Sequence, residues 1–441
     1  MRGKALDFYV ALCYNMQEEI EICRACCQAH EKEVFMSNQA SASRRWWILA
    51  AGVAAMLFAG ILYAWSILKV PFAEELGYGS SALALNFTLT MSFFCLGGLF
   101  SSALVKRLGV RVTVILSGIL AGAGFALSSL LQSGGGWLLY VTYALMAGLG
   151  IGIAYIVLIA TVNAWFPDKR GTSSGALMMG FGASSLLLGN LADRLFASPL
   201  GWRGTYPLIG VAIAVVLILA SLVIKRPDPS VVLPAPRKKA HAPGETFEVK
   251  EYTPLEMIRR FSFWRVFVAF TCITAVGSSV ISFARELALS VGAGAALATT
   301  LVGVLAVCNG LGRILTGAVF DALGRRFTMI AANILAIVAA AITLVAVSQH
   351  SLPLCIVGLC LTGMSYGTVP TNTSAFASAF YGTEHFGTNL SVLNFNLMLA
   401  SFMATACSAI RTATGGYVVP FAILLGMASL ALVLNISVKK P

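Results

Sequence analysis

Arg313 is the only charged residue between Leu297 and Phe320, a stretch otherwise apolar and long enough to cross a bilayer. A guanidinium at that depth costs at least ~2.5–3.5 kcal/mol on insertion scales, so its retention points to a purpose. Its planar fork of donors matches a carboxylate bidentately, which makes anion binding the chemistry it does best. Asn309 lies one helical turn earlier on the same face and offers a neutral donor and acceptor. Gly310, Gly312 and Gly317 thin the helix around it and admit a close neighbour, ligand or backbone. The competing account is snorkelling: about seven residues, ~10 Å of helix rise, separate Arg313 from the end of the apolar run.

Other chemistries find little support. The four histidines, His30, His241, His350 and His385, fall in polar tails or loops. No HExxH or nucleotide-binding loop occurs, and no pair of acids lies inside an apolar stretch, so no enzyme activity and no cofactor are expected. Cys23, Cys26, Cys27 and His30 form a C-x-x-C-C-x-x-H run, but no second cluster completes a zinc site, and no metal is expected. Cys95, Cys272, Cys308, Cys355, Cys360 and Cys407 lie inside apolar stretches and read as small hydrophobes. The glycine row Gly148, Gly150, Gly152 reads as close packing, since no lysine follows as a phosphate loop requires.

The elements that must position Arg313 follow from composition. Only 11% of the 441 residues are charged and 58% are hydrophobic, which places the chain among membrane proteins. Twelve apolar spans follow one another: 46–68, 82–104, 112–131, 137–163, 172–192, 204–224, 264–285, 297–320, 328–347, 352–378, 388–410 and 416–437. Each has the ~20 residues a spanning helix needs, and none alternates with period two as a barrel strand would. The expected fold is an all-α polytopic bundle of twelve transmembrane helices in two pseudo-symmetric groups of six. Residues 44–224 form the first group and 263–438 the second. Between them, 225–262 is a linker with six prolines and the basic run Arg237-Lys238-Lys239. Residues 1–43 read as a polar tail outside the membrane, or as an over-extended start ahead of Met36.

Orientation follows from lysine and arginine. With both termini and the linker on one side, 20 basic residues from Arg44 onward flank that side and 5 flank the other. That bias puts the termini and linker in the cytoplasm and reads the net charge of +12 as a topology signal, not a nucleic-acid footprint. The plasma membrane is the expected location, with the lipid bilayer as partner and no requirement for more than a monomer.

The two groups of six echo one another. After span eight comes G-x-x-x-D-x-x-G-R-R, carried by Gly317, Asp321, Gly324, Arg325 and Arg326. After span two the equivalent stretch keeps Gly109 and Arg111 but has Ser102 and Lys106 where the glycine and the acid would fall. A repeated signature in the same short loop implies two related bundles that rock against each other. A carboxylate at one helix end and arginines at the next can latch neighbouring helices there. The alternative is a generic charged turn.

These segments resemble the major facilitator superfamily, specifically its oxalate/formate antiporter family and monocarboxylate-transporting relatives. The resemblance rests on GILYAW with PFAEELGYGSS (60–65, 71–81), on 148–182 around Trp165-Phe166-Pro167-Asp168-Lys169-Arg170-Gly171, on NGLGR (309–313), and on SYGTVPTNTSAFASAFYGTEHFGTN (365–389). It implies a carboxylate path between the halves, with Arg313 as the substrate arginine and Tyr63, Tyr155 and Tyr366 as cavity tyrosines. It also implies a conformational role for Asp168, Lys169 and Arg170. The lysine that oxalate-transporting members carry in span eleven falls here on Leu397, and a nearby aromatic position on Asn394.

With one guanidinium and no second cation, a dicarboxylate would leave one charge unpaired in low dielectric, a loss of several kcal/mol. The expected substrate is therefore a small monocarboxylate such as lactate, pyruvate or formate, with Asn309, Asn394 and Asn396 as neutral donors. Tyr63 and Tyr155 sit in glycine-rich stretches away from the interfacial belt, and core packing and ligand contact both remain open for them. Pro370, after Tyr366, is expected to loosen or kink its helix. Asn86, Asn163, Asn333 and Asn372 read as interhelical hydrogen-bond glue. No acid accompanies Arg313, which favours anion exchange, uniport, or a symport in which the substrate carries the proton. An exporter of other organic anions or drugs, and a sensor on the same fold, are the alternatives.

Overall fold

The computed structural model describes residues 44–228, 231, 233 and 251–438. The tail 1–43, with its cysteine–histidine run, and most of the proline-rich linker lie outside the described residues. Eleven continuous helices are long and apolar enough to span a membrane. One of them, Ser80–Ser128, is two spans merged across Gly109, whose φ of 78° and ψ of 168° break the helix. The described spanning helices are therefore twelve: α1 (Arg44–Ala64), α2 (80–108), α3 (110–128), α4 (Gly136–Asn163), α5 (Arg170–Phe196) and α6 (Gly201–Val223), then α7 (Phe261–Ser290), α8 (Ala295–Leu323), α9 (Arg325–Ser348), α10 (Leu352–Tyr381), α11 (Phe386–Thr414) and α12 (Val418–Ile436). A bundle of helices satisfies every backbone group internally, which hydrocarbon demands. The described residues contain no strand.

The same turn joins α2 to α3 and α8 to α9. Gly324 has φ 82° and ψ 176°, within a few degrees of Gly109, a region that residues with a Cβ avoid. The turn lets two spans meet in a single residue. It gives a physical reason for the glycine shared by the two repeated motifs.

The first six helices meet the last six along two seams, α5 against α8 with α10, and α2 against α11. Small residues set the spacing. A Cβ on Gly367 of α10 would fall 2.1 Å from the Asn309 carbonyl, so α8 and α10 pack backbone to backbone. A Cβ on Gly60 would fall 2.0 Å from the Phe181 carbonyl, which brings α1 equally close to α5.

Helix α10 runs unbroken through Pro370, where the sequence led us to expect a kink. The irregularities include a 3-10 turn at Gly60–Ala64 in α1, π-helical turns at Tyr140–Gly148 in α4 and Ser185–Gly189 in α5, non-helical backbone at Phe283 in α7, and a break at Asn394 in α11. Three of these five hold a position singled out above, Tyr63, Gly148 and Asn394, as irregular turns in helices often do at functional sites.

Candidate functional site

Arg313 is buried, with 1% of its surface exposed, and points inward between the two groups of helices, which rules out snorkelling. Its Nε donates to Asn309 Oδ1 at 3.1 Å, the contact that the one-turn spacing implied. Its Nη1 donates to the Met178 carbonyl of α5. Gly182, one turn on, leaves room for this: a Cβ there would lie 3.1 Å from the guanidinium carbon. Nη2 has no hydrogen-bond partner among the described residues. No acid among the described residues pairs with Arg313; the ion pairs seen, Arg45–Asp168 and Lys225–Asp228, lie elsewhere. A buried cation with no counter-ion and one unused nitrogen has spare capacity for an anion.

Aromatic rings wall the guanidinium. The Tyr63 ring centroid lies 5.8 Å from its central carbon, within cation–π range. Tyr366 of α10 donates its hydroxyl to that of Tyr63 at 3.3 Å, linking the last six helices to the first. Phe181 of α5 makes edge contacts with Tyr63 and Tyr155, both at 5.1 Å between centroids, and Phe94 of α2 lies 5.1 Å from Tyr155. Tyr155 is within electrostatic reach of both Tyr63 and Arg313. The three tyrosines, Asn309 and Arg313 thus form one cluster, assembled from α1, α4, α8 and α10.

Asn394 joins less directly. Its carbonyl accepts from the Cys95 thiol of α2 at 3.2 Å, and Cys95 is within electrostatic reach of Tyr155. Its buried side-chain Nδ2 has no partner, which leaves it free to donate. Asn396 is committed: it accepts from Thr274 of α7 at 3.1 Å and donates to the Leu393 carbonyl. Leu397 is buried. Asn163 works as glue across helices, through Ser173 and Ser174 of α5 and from Ser174 to Ser374 of α10. Asn333 bonds only its own helix, at Met329, and Asn86 has no side-chain partner.

On the linker-facing side, Asp321 at the end of α8 crosses to α5. It accepts from the Gly171 N–H at 3.2 Å, the Thr172 N–H at 2.9 Å and the Thr172 hydroxyl at 2.6 Å. The first N–H groups of a helix have no intrahelical acceptor and carry partial positive charge, so a carboxylate fits there. Gly317 and Gly171 make the approach possible; a Cβ on Gly317 would sit 2.5 Å from the Gly171 carbonyl. The acid therefore ties a helix end in the opposite half, and the motif arginines take no part in holding it. Arg325 stacks over Phe380 at 4.0 Å, and Arg326 is exposed.

Of the preceding loop, Asp168 pairs with Arg45 of α1 at 2.9 Å and Lys169 lies over Trp46, both within the first six helices. Only Arg170 turns toward the opposite half. It lines a cavity of about 510 Å³ bounded by α2, α4, α5, α10 and α11. The residues that sequence reasoning passed over are Phe181, Phe94, Cys95 and the Met178 carbonyl. The glycines on either side of Phe181, Gly180 and Gly182, were the one available signal.

Comparison with known proteins tests the fold these contacts describe. A sequence model of the Major Facilitator Superfamily matches residues 45–405. The chain belongs to this superfamily. Its members are transporters, not enzymes. This member is 27% identical to the oxalate:formate antiporter of Oxalobacter formigenes over 348 residues, 78% of this chain and 80% of that one. It is 31% identical to human monocarboxylate transporter 11 over 170 residues, 37% of this chain and 35% of that one. Among solved structures it resembles the proton:xylose symporter XylE bound to 6-bromo-6-deoxy-D-glucose, with a TM-score of 0.69 at 14% identity over 89% of this chain and 95% of that one. The transporter FucP in its outward conformation gives a TM-score of 0.64 at 12% identity, covering 89% and 99%. At those identities the two structures speak for the superfamily fold alone.

Proposed function

We propose that this transporter carries small monocarboxylates across the plasma membrane by alternating access, with Arg313 as the docking cation. The observation that carries the proposal is the buried guanidinium with no acid beside it and Nη2 unpartnered. A carboxylate arriving there would supply the missing charge and the missing acceptor together. Nearby donors suit a small hydroxy or keto acid: the hydroxyls of Tyr63 and Tyr366, and at a greater remove Asn394. The relatives support the same class, one being described as an oxalate:formate antiporter and another as a monocarboxylate transporter.

Substrate size and charge follow from the surroundings. No lysine or arginine occurs between Arg326 and Arg411, so α10 and all but the end of α11 offer the second carboxylate of oxalate no cation. Tyr63, Tyr155, Tyr366, Phe94 and Phe181 wall the site with aromatic rings, which suits a small acid. With Asn309 in place of an acid beside Arg313, coupling falls to exchange, uniport, or a proton carried by the substrate. Residues 44–224 and 263–438 act as the rocking halves, 225–262 joins them, and the lysine and arginine bias puts the linker and termini in the cytoplasm.

The test is uptake of radiolabelled formate, lactate, pyruvate and oxalate into proteoliposomes. The native protein is expected to accumulate monocarboxylates. Arg313→Ala is expected to cut uptake by roughly 100-fold or more, the scale of removing one partner from a buried ionic contact. Leu397→Lys is expected to gain oxalate uptake. Full monocarboxylate flux through correctly folded Arg313→Ala protein, judged by its size-exclusion profile, would overturn the proposal.

A further inference from the structure

The linker-facing ends of the two seams are related by the internal repeat, and this lets one be read against the other. In the α5–α8 seam, Gly171 at the start of α5 rests on Gly317 of α8, and Asp321 caps the α5 N-terminus. In the α2–α11 seam, Gly387 at the start of α11 rests on Ser102 of α2, a Cβ there lying 3.2 Å from the Ser102 hydroxyl. Ser102 occupies the repeat position of Gly317, so the two contacts correspond. Where Asp321 stands in the first seam, the second has Lys106, which cannot accept a hydrogen bond from a helix start.

A carboxylate nevertheless sits at that end of α11, and it comes from the linker. Glu251 accepts from the Thr383 N–H at 3.0 and 2.8 Å through its two oxygens, and from the Glu384 N–H at 2.9 Å. These groups belong to the α10–α11 turn, which folds over the carboxylate at Gly382 (φ 82°); a Cβ there would strike it at 2.1 Å. The strand of chain behind Glu251 is pinned to the same turn. Tyr252 donates its N–H to the Tyr381 carbonyl at 3.1 Å, its own carbonyl accepts from Asn389 at 2.9 Å, and its ring packs edge-on to Tyr381. Thr253 and Glu256 then form a reciprocal cap that starts the short helix Pro254–Ile258 leading to α7.

Across the gap is Arg170, the first residue of α5. Arg170 lines the same cavity as Thr383 and Glu384, whose N–H groups Glu251 holds; burial disfavours its guanidinium charge and the Glu251 carboxylate offsets part of that. Lys106, Arg226, Glu384 and His385 line the same cavity, so its wall is rich in cations, and Glu251 sits behind it on the N–H groups of Thr383 and Glu384.

We propose that Glu251 is the latch of the α2–α11 side: the acid missing from α2 is supplied by the linker, and its attraction to Arg170 favours the state in which the linker-facing mouth is closed. When the halves rock apart, Arg170 leaves Glu251 while Glu251 keeps its place on the α10–α11 turn. The proposal rests on alternating access but not on the identity of the substrate.

The test reads accessibility without transport. Ser378 lines the cavity and is half-buried. Ser378→Cys is to be labelled with a membrane-impermeant maleimide from the linker side in inverted vesicles, with the protein lacking that substitution as blank. Glu251→Gln keeps an acceptor for the turn but loses the charge. It is expected to raise the labelling rate about fivefold, the low end of typical coupling between sites, as suits an exposed pair. Arg170→Gln is expected to do the same, and the double variant no more than either, since both break one contact. Labelling unchanged by Glu251→Gln, or effects that simply multiply, would overturn the latch and leave Glu251 as a turn cap. Either result stands apart from the carboxylate proposal, because no substrate is present.

Discussion

On the α5–α8 side the acid that ties the halves together is built into the helix motif. On the α2–α11 side the motif keeps its glycine turn and loses its acid, and a linker residue, Glu251, holds the turn just ahead of α11 instead. The backbone has been held while the charge has moved: Gly109 and Gly324 share one conformation, yet Lys106 and Asp321 differ by two units of charge. The first tie is short-range, since Asp321 bonds two N–H groups and a hydroxyl of the helix it restrains. The second works through space, since Glu251 bonds its own half and only attracts Arg170 in the other. The two carboxylate ties thus differ in directness, and the one that works through space is expected to yield first.

The largest effect should come from breaking the stronger tie. Asp321→Asn removes the charge and leaves one side-chain oxygen for two N–H groups, so it loses about one charge-assisted hydrogen bond, worth ~1.5–3 kcal/mol when buried and less at this exposed site. The expected result is a roughly tenfold shift toward the state open on the linker side, about 1.4 kcal/mol. It should be visible as a tenfold rise in labelling at Ser378→Cys and a matching fall in net transport rate. A smaller shift than that of Glu251→Gln would reverse the ranking of the seams.

Much of this was legible in the chain, and the exceptions share a cause. The twelve spans, the Arg313–Asn309 pair and the repeated loop are local patterns, set by hydropathy, helical spacing and a glycine with positive φ. Tyr63, Tyr155 and Tyr366 were legible only through resemblance, because a tyrosine in an apolar helix has two ordinary explanations. Phe181 was invisible, since an apolar ring in an apolar helix differs from its neighbours only in what it touches. Met178 enters through its carbonyl, which every residue has. Partners distant in sequence escaped as well: Asp168 finds Arg45, and Glu251 meets a turn more than a hundred residues away. Helix α10 continues through Pro370 without a break because it is buried around that residue and its neighbours hold the turn in place.

The smaller effect sharpens the comparison most. If the α2–α11 seam differs from its counterpart chiefly in the residue at 106, then Lys106→Asp should give α2 the acid it lacks, aimed at the start of α11 as Asp321 is aimed at α5. Ser102 is small enough to keep the helices close, as its contact with Gly387 already shows. The seam would then have a tie independent of the linker. On this account Glu251→Gln, which alone raises labelling about fivefold, should change it by less than about twofold in the Lys106→Asp background, a coupling of ~0.5 kcal/mol or more between sites. Lys106→Asp by itself should slow labelling slightly, because a second tie favours the closed mouth. Were the two substitutions to act independently, the correspondence between Lys106 and Asp321 would be one of backbone alone, and the linker carboxylate would answer to some other need of the α10–α11 turn.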